Sequence, residues 1–228
     1  MCFSESVSII AGSGLLVGGA YAGVKAWTVN KRYLPVSLMP VFAGLQQLSE
    51  GFVWSGMTGA DSQLVQASAL IYIFFTWFMW PFWIPLSVFV LEPRDSRRKY
   101  IFLFFAAVGL GFGMMLYVPH LIRPEWVDVT VNRNSLAYEG TMLLDFLMPR
   151  SVTNALYLAL IILPPLMSRY RHMFYFGLTL IGVTVVDFLF LRYAYISFFC
   201  LLAGLATVHL IYIISRNHCR HECPELFA

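Results

Sequence analysis

Leu45-Gln46-Gln47-Leu48-Ser49-Glu50-Gly51 lies two thirds of the way along an apolar stretch, roughly 34–57, that is long enough to cross a membrane. A carboxylate and two amides in hydrocarbon are costly and need partners. Gln46, Glu50 and Trp54 are four residues apart and share one helix face. Gln47, three residues before Glu50, flanks that face. These four side chains are the candidate ligand-binding set, and Asp187 joins them as a second carboxylate in an apolar run.

Composition sets the class around this stretch. The 228 residues are 59% hydrophobic and 12% charged, with a mean hydropathy of +0.72. Soluble domains carry roughly 25% charge, so the chain reads as an all-α membrane protein. At about 20 residues per crossing, it accommodates seven transmembrane helices. They are expected at roughly 6–27, 34–57, 65–92, 100–118, 151–168, 172–191 and 195–215. The organisation read from this is one transmembrane domain, 1–216, with a long external cap loop at 119–150, then a cytoplasmic tail, 217–228. Lys25 follows the first apolar run instead of preceding it, so that run is read as a helix and not as a signal peptide.

Local patterns add detail. Gly14-x-x-x-Gly18 and Gly19-x-x-x-Gly23 in the first helix, and Gly109, Gly111 and Gly113 in the fourth, suit close helix packing. A homo-oligomer through the first of these faces stays open. The third helix holds Phe74, Phe75, Trp77, Phe78, Trp80, Phe82 and Trp83, with Pro81 and Pro85 expected to kink it and free carbonyls. In the long loop, residues 126–131 alternate apolar and polar, while 136–148 reads as a short interfacial helix.

Charge sets the expected orientation. Eleven of the fifteen lysines and arginines fall in the first, third and fifth loops and the tail; only Arg123, Arg133, Arg150 and Arg192 fall on the other side. Positive residues mark the cytoplasmic face. The N-terminus is therefore expected outside and the C-terminus in the cytoplasm, in a multi-pass protein of the bacterial inner membrane or an equivalent membrane. The lipid bilayer is the first partner. No nucleic-acid partner is indicated, because topology accounts for the basic loops.

That orientation gathers Cys2, Glu50, His120 and Asp187 into one outer layer. Thiolate, carboxylate and imidazole suit zinc or another transition metal, so these four are the candidate metal ligands. Cys2 and Cys200 could instead form a disulfide, and Asp187 could pair with Arg192. A buried acid can also serve only to fix packing. His209 reads as a hydrogen-bonded core histidine. The tail's His218-Cys219-Arg220-His221-Glu222-Cys223 is a denser His/Cys cluster that could bind a metal, but without a second half-site it reads first as a solvated basic segment with reduced thiols. No His-Glu-x-x-His, Gly-x-Ser-x-Gly or phosphate-binding loop is present.

Met1-Cys2-Phe3-Ser4, Arg32-Tyr33-Leu34-Pro35 and Gln46-Gln47-Leu48-Ser49-Glu50-Gly51 together resemble an uncharacterised family of small bacterial seven-helix membrane proteins. The resemblance implies no activity and points to Cys2 and Glu50. Two other seven-helix groups share only the expected orientation. Alkaline ceramidase-like hydrolases hold zinc with three histidines, two of them on the last helix, where this chain has His209 alone. Sugar transporters built from three-helix repeats differ in that no repeat is evident here.

Three functions compete. The first is a binding protein for transport or sensing, with a small-molecule or lipid ligand, or a proton, at Glu50, Gln46, Gln47, Trp54 and Asp187. The second is a metal-dependent membrane enzyme acting on lipid or another apolar substrate, with Glu50 as ligand or general base. The third is a structural subunit that uses its glycine faces.

Overall fold

The computed structural model describes residues 4–93, 96–132, 135–190 and 195–215. Eight α-helices and one β-hairpin appear in the order α1 (Glu5–Val29), α2 (Leu34–Thr58), α3 (Ser62–Ile73), α4 (Trp80–Leu91), α5 (Lys99–Ile122), β1 (Val127–Asn132), β2 (Ser135–Gly140), α6 (Arg150–Met167), α7 (Arg171–Phe190) and α8 (Tyr195–Ser215). A single π-helical turn, Phe74–Met79, joins α3 to α4, so the two form one continuous rod.

The ends of these helices follow from local chemistry. Pro35 stands in the first turn of α2, where a missing N–H costs nothing. Asp61 caps α3, its Oδ1 accepting from the N–H groups of Gln63 and Leu64 at 3.1 and 3.0 Å.

The expectation of seven spans is corrected. Among the described residues, five helices are long and apolar enough to cross a bilayer: Glu5–Val29, Ser62–Leu91, Lys99–Ile122, Arg150–Met167 and Arg171–Leu189. α2 has the length, but Gln46, Gln47 and Glu50 dilute its hydropathy, and much of it is buried in the bundle. The described apolar part of α8, Cys200–Ser215, is short. Which loops share a side depends on the number of crossings. The lysine and arginine asymmetry therefore no longer places the N-terminus outside and the C-terminus in the cytoplasm.

α1 and α2 run antiparallel in close contact. A Cβ on Gly12 would press on the Gly44 carbonyl, and one on Gly19 would press on Val41. Gly18 meets Ile211 of α8, whereas Gly14 faces nothing within 4 Å. Most of the glycine face of α1 is thus used inside the chain. In a lipid environment such close backbone packing replaces the hydrophobic drive between helices.

The same device joins α5 to the α3–α4 rod. Proline lacks an N–H, so Pro85 leaves the Pro81 carbonyl without its helical partner. α5 places a glycine opposite it and another one turn further along. A Cβ at Gly109 would overlap the Pro81 carbonyl oxygen, and one at Gly113 would lie 3.2 Å from that of Trp77.

Two packed cores result. One, containing Met39, Phe102, Met173 and Phe176, fills the half where the basic loops lie. The other contains Trp54, Tyr72, Trp77, Leu116, Leu136 and Tyr138, and it is closed by the hairpin. The hairpin pairs Val127 with Gly140 through Asn132 with Ser135. The alternation at 126–131 is therefore a strand. The interfacial helix expected at 136–148 is instead a second strand and one 3-10 turn, Leu143–Phe146.

The glycine seam makes a direct prediction. Gly109→Ala lowers stability by about 1–3 kcal/mol because the added methyl group must displace backbone. Gly111→Ala, with nothing within 4 Å of its Cβ, leaves stability unchanged or slightly raised. Thermal unfolding of the two variants in one detergent, followed by circular dichroism, checks this. Equal midpoints would contradict the seam.

Candidate functional site

Gln46 is 1% exposed and both ends of its amide are used. The indole N–H of Trp80 donates to Oε1 at 2.7 Å, and Nε2 donates to Thr76 Oγ1 at 2.8 Å. An indole can only donate, so this contact fixes the orientation of the amide. Thr76 in turn donates to the Tyr72 carbonyl at 3.1 Å and lies 3.6 Å from Cys200 Sγ. Cys200 is a buried free thiol, beside Tyr72 as well.

The π turn gives this chain its last member. Trp80 N–H bonds Phe75 O, five residues back, and not the carbonyl of Thr76. The next N–H in line would be that of Pro81, which has none. The Thr76 carbonyl is left for Tyr157 of α6, whose hydroxyl donates to it at 2.7 Å. Single π turns of this kind concentrate at functional sites.

Glu50, one turn beyond Gln46, is fully buried and within electrostatic range of Tyr72 and Cys200. Gln47 is 1% exposed, and neither its Nε2 nor its Oε1 has a hydrogen-bond partner among the described residues. Trp54 lies in the hairpin-side core with its indole N–H equally without a partner there.

This polar chain opens onto a cavity of about 550 Å³ between the α3–α4 rod, α5, α6, α7 and α8. Thr76, Tyr157 and Cys200 lie in its polar lining, with Ser151, Thr153 and Asn154 of α6 and Thr184 and Asp187 of α7. Asp187 is 6% exposed and its Oδ1 has no partner among the described residues. The arginine expected to pair with it, Arg192, lies outside those residues.

The hairpin closes this end of the bundle. Tyr138 stacks on Tyr72 with ring centroids 4.4 Å apart and planes at 8°. Arg150 holds the cap to α6: its guanidinium donates to the Asp145 carboxylate and, at 2.6 Å, to the Gly140 carbonyl. The Met142 N–H also donates to Asp145, at 3.0 Å.

The metal expectation is corrected. No group of three or more His, Cys, Asp or Glu side chains among the described residues lies close enough to hold an ion. His120 is fully buried but faces Trp77 and Trp126, with Nδ1 on the Leu116 carbonyl at 2.8 Å. Asp187 lines the cavity, whereas Glu50 on α2 does not. Cys2 and the tail cluster lie outside the described residues. Zinc or another transition metal as cofactor, and the metal-dependent enzyme with it, lose their ligand set.

Several site residues carry little signal in the sequence. Thr76 is the only polar side chain between Phe74 and Pro85, and that isolation marks it. Tyr72, Trp80 and Tyr157 are indistinguishable from packing aromatics until the π turn sets their register. A second buried carboxylate, Glu92, accepts from Ser168 Oγ at 3.2 Å and from the Arg169 N–H at 3.0 Å. It ties the end of α4 to the α6–α7 turn, away from the cavity.

The chain belongs to DUF6629, a family of unknown function whose model matches residues 1–224. Neither the curated proteins nor the solved structures contain a match.

The cap clamp is sensitive to acid. Its hydrogen bonds from Arg150 hold the Asp145 carboxyl below its ordinary value of 3.8, against a smaller opposing effect of burial. A depressed carboxyl stabilises the fold above its unfolded value, and the effect is lost as pH falls through the lower folded value. The pair is partly exposed, so its contribution is about 0.2–1 kcal/mol. Asp145→Asn should therefore lower the thermal midpoint at neutral pH, and the gap from wild type should close from pH 3.8 downward. A gap that persists in acid would show that the clamp acts by packing alone.

Proposed function

We propose that this member of DUF6629 is a binding protein of the transport or sensing class. A small ligand occupies the cavity, and the Gln46–Thr76–Tyr157 chain with Glu50 responds to it. Of the ligand-binding residues in this reading, Asp187 lines the cavity, and Gln46, Gln47, Glu50 and Trp54 are buried beyond its lining.

One observation carries it: a hydrogen-bonded polar wall, buried in the bundle, faces a cavity of about 550 Å³. Ligand pockets of roughly 300–1,000 Å³ with a few convergent polar groups are the usual size for small molecules. A wall built only for packing would gain nothing from a cavity beside it, because unfilled space forfeits dispersion contacts.

The π turn and paired prolines also suit a rod that changes shape. They replace regular helical hydrogen bonds with bonds to side chains, and such interrupted helices line transporter sites. Glu50 sits where a proton could be exchanged with that chain. The setting we propose is the inner membrane of a bacterium, or an equivalent membrane. Residues 1–216 act as one unit, with 119–150 as its cap and 217–228 as a tail.

Native mass spectrometry of the full chain, purified in mild detergent from its own membranes, tests the reading. Wild type should carry one small-molecule adduct per chain. Glu50→Gln, which preserves shape and removes the ionisable oxygen, should lose most of that occupancy. No adduct on wild type, or the same occupancy on both proteins, would contradict it.

A further inference from the structure

The chemistry of the cavity wall narrows the ligand class. The apolar part is supplied by side chains such as Leu116, Met142 and Leu158, with Trp77 beside them. Asp187 is the only carboxylate among the described lining residues, and no lysine or arginine is among them. A carboxylate taken out of water without a hydrogen-bond donor is costly.

Three of the lining hydroxyl groups are already committed: Thr76 donates to the Tyr72 carbonyl, Tyr157 to the Thr76 carbonyl, and Thr184 to the Leu180 carbonyl at 2.8 Å. Ser151, Thr153 and Asn154 also line the cavity and are able to donate, but they are neutral, so no described lining side chain balances the charge of Asp187. An anion finds no positive partner there and meets Asp187. A polyol finds too much apolar surface. An ammonium group on an apolar body matches both: it brings a positive charge and three donors to Asp187, and hydrocarbon to the rest.

We propose that the cavity binds a small amphipathic amine, with its ammonium group on the Asp187 carboxylate and its apolar body against Leu116, Met142 and Leu158. This inference rests on the ligand-binding reading above and adds the sign and shape of the ligand.

Isothermal titration of the purified full chain in detergent tests it, with 2-phenylethylamine as probe and 2-phenylethanol as its neutral counterpart. The proteins are wild type, Asp187→Asn and Thr184→Phe, each checked for a cooperative thermal transition. Wild type should bind the amine saturably at one site and the alcohol about tenfold more weakly. Asp187→Asn should lose that preference, and Thr184→Phe, which fills the cavity one turn away, should bind neither. Equal binding of amine and alcohol to wild type and Asp187→Asn would overturn the inference while leaving a ligand cavity. Absence of saturable amine binding by folded wild type would also overturn it, and the adduct measurement would then decide the broader reading on its own.

Discussion

The amide of Gln46 is the contact on which the rest of the bundle depends. It joins α2, a largely buried helix, to the α3–α4 rod through two hydrogen bonds at 2.7 and 2.8 Å. Both are made between buried side chains, so losing the amide would leave an indole N–H and a threonine hydroxyl without these partners. Leaving a buried donor or acceptor unmet costs about 1–3 kcal/mol. In the π register Thr76 turns its hydroxyl toward Gln46 on α2 and its carbonyl toward Tyr157.

From this lock the architecture extends in two directions. Toward α5, Pro85 leaves the Pro81 carbonyl exposed, and glycines on α5 let backbone meet backbone there. Toward α6, α7 and α8, the rod stands off and the cavity remains. The hairpin covers the same end, held by the Tyr72–Tyr138 stack and by Arg150. Rigid packing on one side and open space on the other give a ligand room without loosening the frame.

Much of the helical framework was legible because lipid exposure imposes a length and a hydropathy on each rod. The number of crossings was not. The apolar residues of α2 suggested a span, while Gln46, Gln47 and Glu50 dilute its hydropathy and much of it is buried in the bundle. In the cap, Val127–Asn132 alternates and could be read as a strand. Leu136, Ala137 and Tyr138 are all buried, so the second strand shows no period of two.

The cost of burying Gln46 and Glu50 marked the site from the sequence. Their partners depended on a π turn that no periodicity announces. Depth along a helix can be counted, but rotation about its axis cannot. This is why Glu50, His120 and Asp187 shared an expected layer and yet form no ligand cluster.

The central claim is that the polar wall faces an accessible chamber and is not sealed packing. Hydroxyl-radical footprinting of the wild-type protein measures this through its methionines. Met142 lines the cavity, whereas Met39 and Met173 are fully buried in the opposite core. The account predicts that Met142 and Trp77, at 5% and 6% exposure, oxidise faster than the fully buried Met39 and Met173. Equal protection of all four would mean that no chamber is open to solvent or ligand, and would contradict it.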